Sequence, residues 1–377
     1  MKLWKRVVPF GLAAVMTAAG PAAVFAASPD FAKTEEEWAR LRDNVLEYDE
    51  IADLIHEYNT TVAANNIEYQ KTKNKSVEEI SQQYWDAAGI ANRAAFDAEN
   101  GAETATYLIQ ERTAAINADD NVDDGENNRL TYVKAELNLV KQAQQLMNTY
   151  NQLLIQRQLE TQNKQQAEQQ LNAATVKLSQ GMSTNSEILV ARQTVQTSEA
   201  KIIDLDAQIE DTKQNLAIMT GWKQNSSPEI MGIPSLDFDR LAAFDPTVDK
   251  ETALQNDYSL QVERRRLDFS ATQENKTLYS NNVKKLEDSA KSAVDLGYQS
   301  VLQAYTAYEQ AQVALSLANN NLSTGQRQFQ LGTLSQIEYS SLEYKQQSAQ
   351  TTFQLKEMEL FQAMQNYDWI LNGLASS

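Results

Sequence analysis

From Ile188 onward the chain places an apolar residue at every seventh position: Ile188, Val195, Ile202, Ile209, Leu216. A second row at Ala191, Leu205 and Met219 completes a seam that Ser198 and Thr212 interrupt with polar groups. At an offset of 151 the first row returns as Tyr339, Gln346, Phe353, Leu360 and Tyr367, where only Gln346 breaks the apolar character. Another seven-residue row precedes each segment: Val133, Val140, Met147, Leu154 before the first, and Val294, Val301, Tyr308, Leu315, Leu322, Phe329 before the second. A sustained spacing of seven keeps one face of a helix against a partner and imposes a left-handed supercoil. The pattern therefore predicts long helices packed lengthwise in two antiparallel hairpins. The first incoming helix, roughly 130–180, would be about 75 Å long at 1.5 Å per residue.

The corners repeat as well. "GMSTNSEI" (181–188) and "GTLSQIEY" (332–339) each open on Gly, and three residues later carry Thr or Ser three ahead of Glu. Glycine tolerates the left-handed backbone common just past a helix end. Thr184 with Glu187, and Ser335 with Glu338, have the spacing of a capping box. Each corner thus reads as a hairpin tip. The outgoing helices close near "TGW" (220–222) and "LNG" (371–373). Amphipathic lead-ins, "YDEIADLIHEYNTTVAANN" (48–66) and "VDKETALQNDYSLQVERRR" (248–266), match at an offset of 198, against 151 for the tips. Repeat 1 consequently carries about 47 extra residues, including "INADDNVDDGENN" (116–128), which has no apolar periodicity and is predicted to be a solvated loop.

Proline confirms the bipartite plan. None occurs between Pro29 and Pro228, and none after Pro246; proline is costly within helices. The expected organisation is a signal peptide (1–26), a helical lead-in (27–47), repeat 1 (48–226), a Pro-bearing linker (227–247) and repeat 2 (248–377). The signal peptide rests on Lys2, Lys5 and Arg6 ahead of a short apolar stretch ending in "VFA". That stretch is too short for a membrane span, and no Cys follows it to take a lipid. The mature chain would hold 30 Lys+Arg against 51 Asp+Glu, a net −21. Such a surface repels nucleic acid and anionic lipid. An exported chain with no Cys must be held by packing rather than disulfides.

Candidate chemistry is sparse. "DDNVDDGE" (119–126) places Asp124 where a calcium loop needs Gly, and Leu130 where it needs a bidentate Glu; it reads as a flexible acidic loop. The one histidine, His56, has no ligand companion for zinc and is expected to pack or to face solvent. No phosphate-binding glycine loop or supported Ser-His-Asp arrangement occurs, so no enzyme activity and no cofactor are expected. Tyr298, Tyr305 and Tyr308 fit seam packing. The Gln-rich run "KQAQQLMNTYNQLLIQRQLETQNKQQAEQQ" is expected to form a solvated helix face or, in a tunnel, a polar lining.

Two tandem helical repeats with Gly-x-x-[Ser/Thr]-x-x-Glu tips, followed by helices closing in "MTGW" or "LNG", resemble the TolC-type outer-membrane efflux protein family. The resemblance covers about 48–374 and implies a homotrimeric twelve-helix tunnel. Its tips would dock an adaptor of membrane-fusion type belonging to an energised exporter, an ABC transporter being one such exporter. It places Leu178, Gly181, Ser186 and Glu187 of repeat 1, and Phe329, Gly332, Ile337 and Glu338 of repeat 2, at the docking tips. The sequence departs from the family at the β-barrel. Membrane strands need roughly 9–11 alternating residues, whereas "INADDNVDDGENNRLTY" and "ENKTLYSNNVKKLED" are acidic, charged and without alternation. The expectation is an all-α chain of two helical hairpins, without the barrel, in an elongated coiled-coil-like body. It would serve as a conduit or scaffold in the cell envelope or, alternatively, as an exported coiled-coil spacer or binding module without transport.

Overall fold

The computed structural model describes residues 33–223 and 225–376; the expected signal peptide lies outside them. The chain divides into two compact units between Arg40 and Leu41. Helix α1 (Glu35–Leu41) opens with three glutamates in its first turn, where a carboxylate favours the helix dipole. The second unit holds β1 (Val45–Leu46), a 3-10 turn (Tyr48–Glu50), α2 (Ile51–Tyr58), α3 (Thr60–Thr72), α4 (Val77–Phe96), α5 (Gly101–Asp119), α6 (Gly125–Ser179) and α7 (Asn185–Met219). It continues with β2 (Glu229–Ile230), α8 (Phe238–Ala242), α9 (Pro246–Asn256), α10 (Tyr258–Phe269), α11 (Gln273–Gln330), α12 (Gln336–Trp369) and a π-helical close (Ile370–Leu374). The two short strands pair in parallel, Val45 with Glu229 and Leu46 with Ile230, tying the lead-in to the linker.

The all-α expectation holds, and the seven-residue rows form the seams. α6 and α7 make one hairpin, α11 and α12 the other, and α12 also packs on α6. The 55 residues of α6 span about 80 Å and the 58 of α11 about 87 Å. Each outgoing helix is some twenty residues shorter, and the lead-in helices fill the vacancy: α2, α3 and α10 pack on α6, and α9 and α10 on α11. Val294, Val301, Leu360 and Tyr367 are fully buried. Burial on that scale stabilises by about 1.5–3 kcal/mol per large side chain. Tyr308 packs on Phe353 at 5.2 Å between ring centres, and Tyr298 on Tyr367 at 6.3 Å, as seam packing requires. Gln346, the polar break in its row, donates to Asn319 Oδ1 across the hairpin at 3.0 Å. The row in α6 slips by one residue at its end: Leu153 is buried and Leu154 faces out.

Both repeats close by the same device. α2 breaks into α3 at Asn59, whose side chain accepts from the Thr61 and Val62 amides and donates to the Met219 carbonyl at 2.8 Å. In repeat 2 two residues share these tasks. Asp257 caps α10 through the Leu260 amide, and Asn256 donates to the Leu371 carbonyl at 2.8 Å. The end of each outgoing helix is thereby anchored to the break in its lead-in. The closing glycines are required twice over. Gly221 and Gly373 have φ of +89° and +105°. A Cβ on Gly221 would stand 2.2 Å from Tyr58 Cβ, and one on Gly373 2.5 Å from the Tyr258 ring.

Three sequence expectations are corrected. The segment 116–128 is not a solvated loop: its ends belong to α5 and α6, and Asp123, Asp124 and Glu126 are engaged. Asp124 caps α6 through the Asn127 amide and pairs with Arg265, while Asp123 receives two Arg266 hydrogen bonds at 2.7 and 2.9 Å. A carboxylate that meets a helix N-terminus and an arginine is fixed by both. The Gln-rich run is also not simply solvated. Gln145 donates to Asn366 at 2.9 Å and Asn148 to Gln362 at 2.7 Å, while Gln144 accepts from Trp369 Nε1 at 3.0 Å. These amides lace α6 to α12 and join the two hairpins, since a buried amide must find a partner. Finally, most of the extra length of repeat 1 is a helical hairpin, α4–α5, where repeat 2 passes from α10 to α11 through three residues. Stretch 274–288 lies wholly within α11, and β1 and β2 are the strands among the described residues.

Candidate functional site

The two tips share one backbone closure. At the end of α6, Gly181 (φ +71°) donates to the Leu178 carbonyl at 2.9 Å and Met182 to the Lys177 carbonyl at 2.8 Å. At the end of α11, Gly332 (φ +73°) donates to the Phe329 carbonyl at 3.0 Å and Thr333 to the Gln328 carbonyl at 2.9 Å. This crossed pair of bonds is the Schellman closure, and it requires a left-handed residue at the glycine. A Cβ on either glycine would meet no atom within 4 Å, so both tips are open on the outside.

The capping boxes follow. Thr184 Oγ1 accepts from the Glu187 amide at 3.3 Å and Glu187 reaches back to the Thr184 amide at 3.4 Å and to the Ser183 hydroxyl. Ser335 Oγ accepts from the Glu338 amide at 3.3 Å, and Glu338 accepts from the Ser335 amide at 3.0 Å and hydroxyl at 2.8 Å. These bonds hold both carboxyls below the usual carboxylate range: the Ser183 hydroxyl acts first on Glu187, the Ser335 amide on Glu338. Both acids therefore stay charged in the open.

A groove of about 590 Å³ runs between the tips, with Lys177, Ser183 and Glu187 on the repeat 1 wall and Gln336, Ile337 and Ser340 on the repeat 2 wall. The structure thus brings Glu187 and Ile337 to one cleft. Ser186 and Glu338 are exposed but do not line it, and Leu178 and Phe329 are half-buried. Phe329 stacks on Tyr339 with ring centres 4.9 Å apart, which supports the second tip from within. Sequence reasoning named Ile337 but missed Met182, Leu189 and Leu331. Met182, Leu189, Leu331 and Ile337 are all at least 64 % exposed around the tips. Large apolar groups gathered at an open end mark a contact surface. Met182 and Leu331, each beside a corner glycine, were the available signal.

No protein-family model matches the chain, and no curated protein matches it. Solved structures do. A membrane protein from Pseudomonas aeruginosa superposes with a TM-score of 0.52 at 10 % identity, over 88 % of this chain and 91 % of that one. The outer-membrane channel OprN superposes with a TM-score of 0.51 at 11 % identity, over 90 % of this chain and 92 % of that one. The fold is TolC-type. Within that fold, the Gly181 and Gly332 corners are the hairpin tips of the two helical repeats, and α4–α5 stands where repeat 1 has its extra length.

Proposed function

We propose that this chain is an exported component of an efflux or secretion assembly, a conduit or scaffold formed by three copies, which docks a membrane-fusion-type adaptor of an exporter through the groove between its tips. The observation that carries the reading is the duplicated tip. Two corners 151 residues apart repeat the same closure and the same capping box. Around them Met182, Leu331 and Ile337 remain uncovered. Helix closure alone does not call for apolar side chains in solvent, whereas a partner surface does. The charged Glu187 and Lys177 on the groove wall would set register, and Ile337 would supply apolar contact.

The reading is tested by paired charge reversal, Glu187→Lys with Glu338→Lys. The double variant should keep wild-type helicity and melting temperature while losing capture of a cognate membrane-fusion-type adaptor in a pull-down. Capture that survives unchanged removes the tips from docking. Native mass spectrometry of the signal-cleaved chain should show three copies; a monomer at every concentration would favour the spacer reading.

A further inference from the structure

We propose that the α4–α5 hairpin is a self-association surface, packing side by side against the same hairpin of neighbouring copies. The inference deepens the assembly reading above and rests on it. α4 and α5 pack chiefly on each other, through a core made largely of alanine: Ala88, Ala91, Ala95 and Ala118 with Ile80. Their ties to the rest of the unit lie at the base, where Gly125 donates to the Lys75 carbonyl and Asn121 to the Val77 carbonyl. The large apolar side chains are left outside: Phe96 is 85 % exposed, Ile109 67 % and Ile90 61 %.

Their placement identifies the occupant. At 100° per residue, Trp85, Gly89 and Phe96 share one flank of α4, and Ala87, Ile90 and Ala94 the opposite flank. On α5, Ala105, Ile109 and Ile116 form one stripe that includes Arg112. Spacings of three, four and seven along these stripes are those of a seam against another helix. A bilayer surface would cover one side of the hairpin and leave the other bare. Residues 77–119 carry eight acidic and two basic side chains, a net −6, which opposes binding to anionic lipid. Copies of the hairpin arranged around an axis cover both flanks of each. The element also carries both halves of the contact. Gly89 is unfavourable inside a helix, and no atom comes within 4 Å of a Cβ placed on it. Nothing within the chain requires glycine there, while a neighbouring helix approaching closely would. Ile109 and Ile116 supply the matching bulk. Charge agrees: Arg112 lies in the α5 stripe, and Asp86 and Asp97 border the Ile90 flank.

The chain has no Cys, so single substitutions report contacts cleanly. Under mild oxidation of the signal-cleaved chain, Phe96→Cys and Ile109→Cys should give disulfide-linked dimers, and Arg93→Cys, which is exposed between the two flanks of α4, should not. In sedimentation, Ile109→Glu and Gly89→Leu should each raise the concentration needed for association at least tenfold. Gly89→Leu improves helix propensity, so its loss of association could not come from unfolding. Oligomers that persist in both variants, with Phe96→Cys unlinked, would overturn this inference and leave the assembly reading standing. Flotation with zwitterionic or anionic vesicles that depends on Phe96 and Ile109 would overturn it in favour of a membrane contact. A wild-type monomer at all concentrations would overturn both.

Discussion

The two repeats share a hairpin, a tip and a closing anchor, yet only the first interrupts its lead-in with α4–α5, where the second makes do with three residues between α10 and α11. The shared parts are those in which backbone geometry leaves few choices: left-handed glycines, capped first turns and amide anchors. The unshared part hangs from a base of a few hydrogen bonds and can change without disturbing the seams. Repeat 2 shows that a TolC-type repeat closes without any such insertion. The addition in repeat 1 is therefore not needed for a repeat of this fold to close.

The comparison breaks most visibly at its most constrained positions. Gly221→Val and Gly373→Val force a left-handed β-branched residue into Tyr58 or Tyr258, and each should lower stability by about 3–5 kcal/mol in denaturant unfolding. The same change at Gly181 or Gly332 meets open space and should cost only about 1–2 kcal/mol. Equal costs at tips and closings would show that the closing contacts carry nothing. Next in size is the bridge between repeats. Arg266 touches both Asp123 and Glu263, so Arg266→Ala should cost about 1–3 kcal/mol. Asp123→Ala combined with it should add little more, because the two share one interaction.

A smaller effect separates the lead-ins. His56 Nδ1 lies 2.7 Å from Glu136 Oε1, whereas Leu254 occupies the matching position, 198 residues on, in repeat 2. The hydrogen bond to Glu136 raises the His56 pKa above its ordinary 6.5. The pair therefore stabilises fully below pH 6.5, and its contribution disappears as pH rises through the elevated folded value. The site is partly exposed, so the difference should stay under about 1 kcal/mol. His56→Leu should flatten the stability profile over that window, and a profile unchanged by the substitution would dismiss the pair. Smallest of all is the effect of acid on the tips. Their depressed glutamates stabilise above pH 4.5 and should lose the caps as pH falls below it. Thr184→Ala and Ser335→Ala, each expected to cost about 1 kcal/mol, should blunt that acid loss.

How much of this was legible in the sequence follows from which forces are periodic. The seams of α7, α11 and α12 could be read because burial recurs every seven residues over many turns. The tips could be read because Schellman closures and capping boxes are local and use few residue types. α4–α5 was missed because its inner face is mostly alanine and its large apolar residues point outward, so the periodicity is weak. Ser76 three ahead of Glu79, a complete capping box in the structure, was the overlooked signal. The acidic segment 119–126 misled because two of its charges, Asp123 and Asp124, are balanced by Arg266 and Arg265, some 140 residues away. No local pattern reports a partner at that distance. The groove between the tips was half legible: one residue of each wall, Glu187 and Ile337, was named, but their meeting depends on how α6 packs against α12.

The anchors at Asn59 and Asn256 have a mechanical consequence. Each fixes the far end of an outgoing helix whose other end is a tip, about 50 Å away along 35 residues of α7 or 34 of α12. A rigid rod of that length converts rotation into travel: a tilt of about 5° at the anchor moves the tip by about 4 Å. Any displacement at the base is therefore magnified at the cleft, which lies at the opposite end of the same rods.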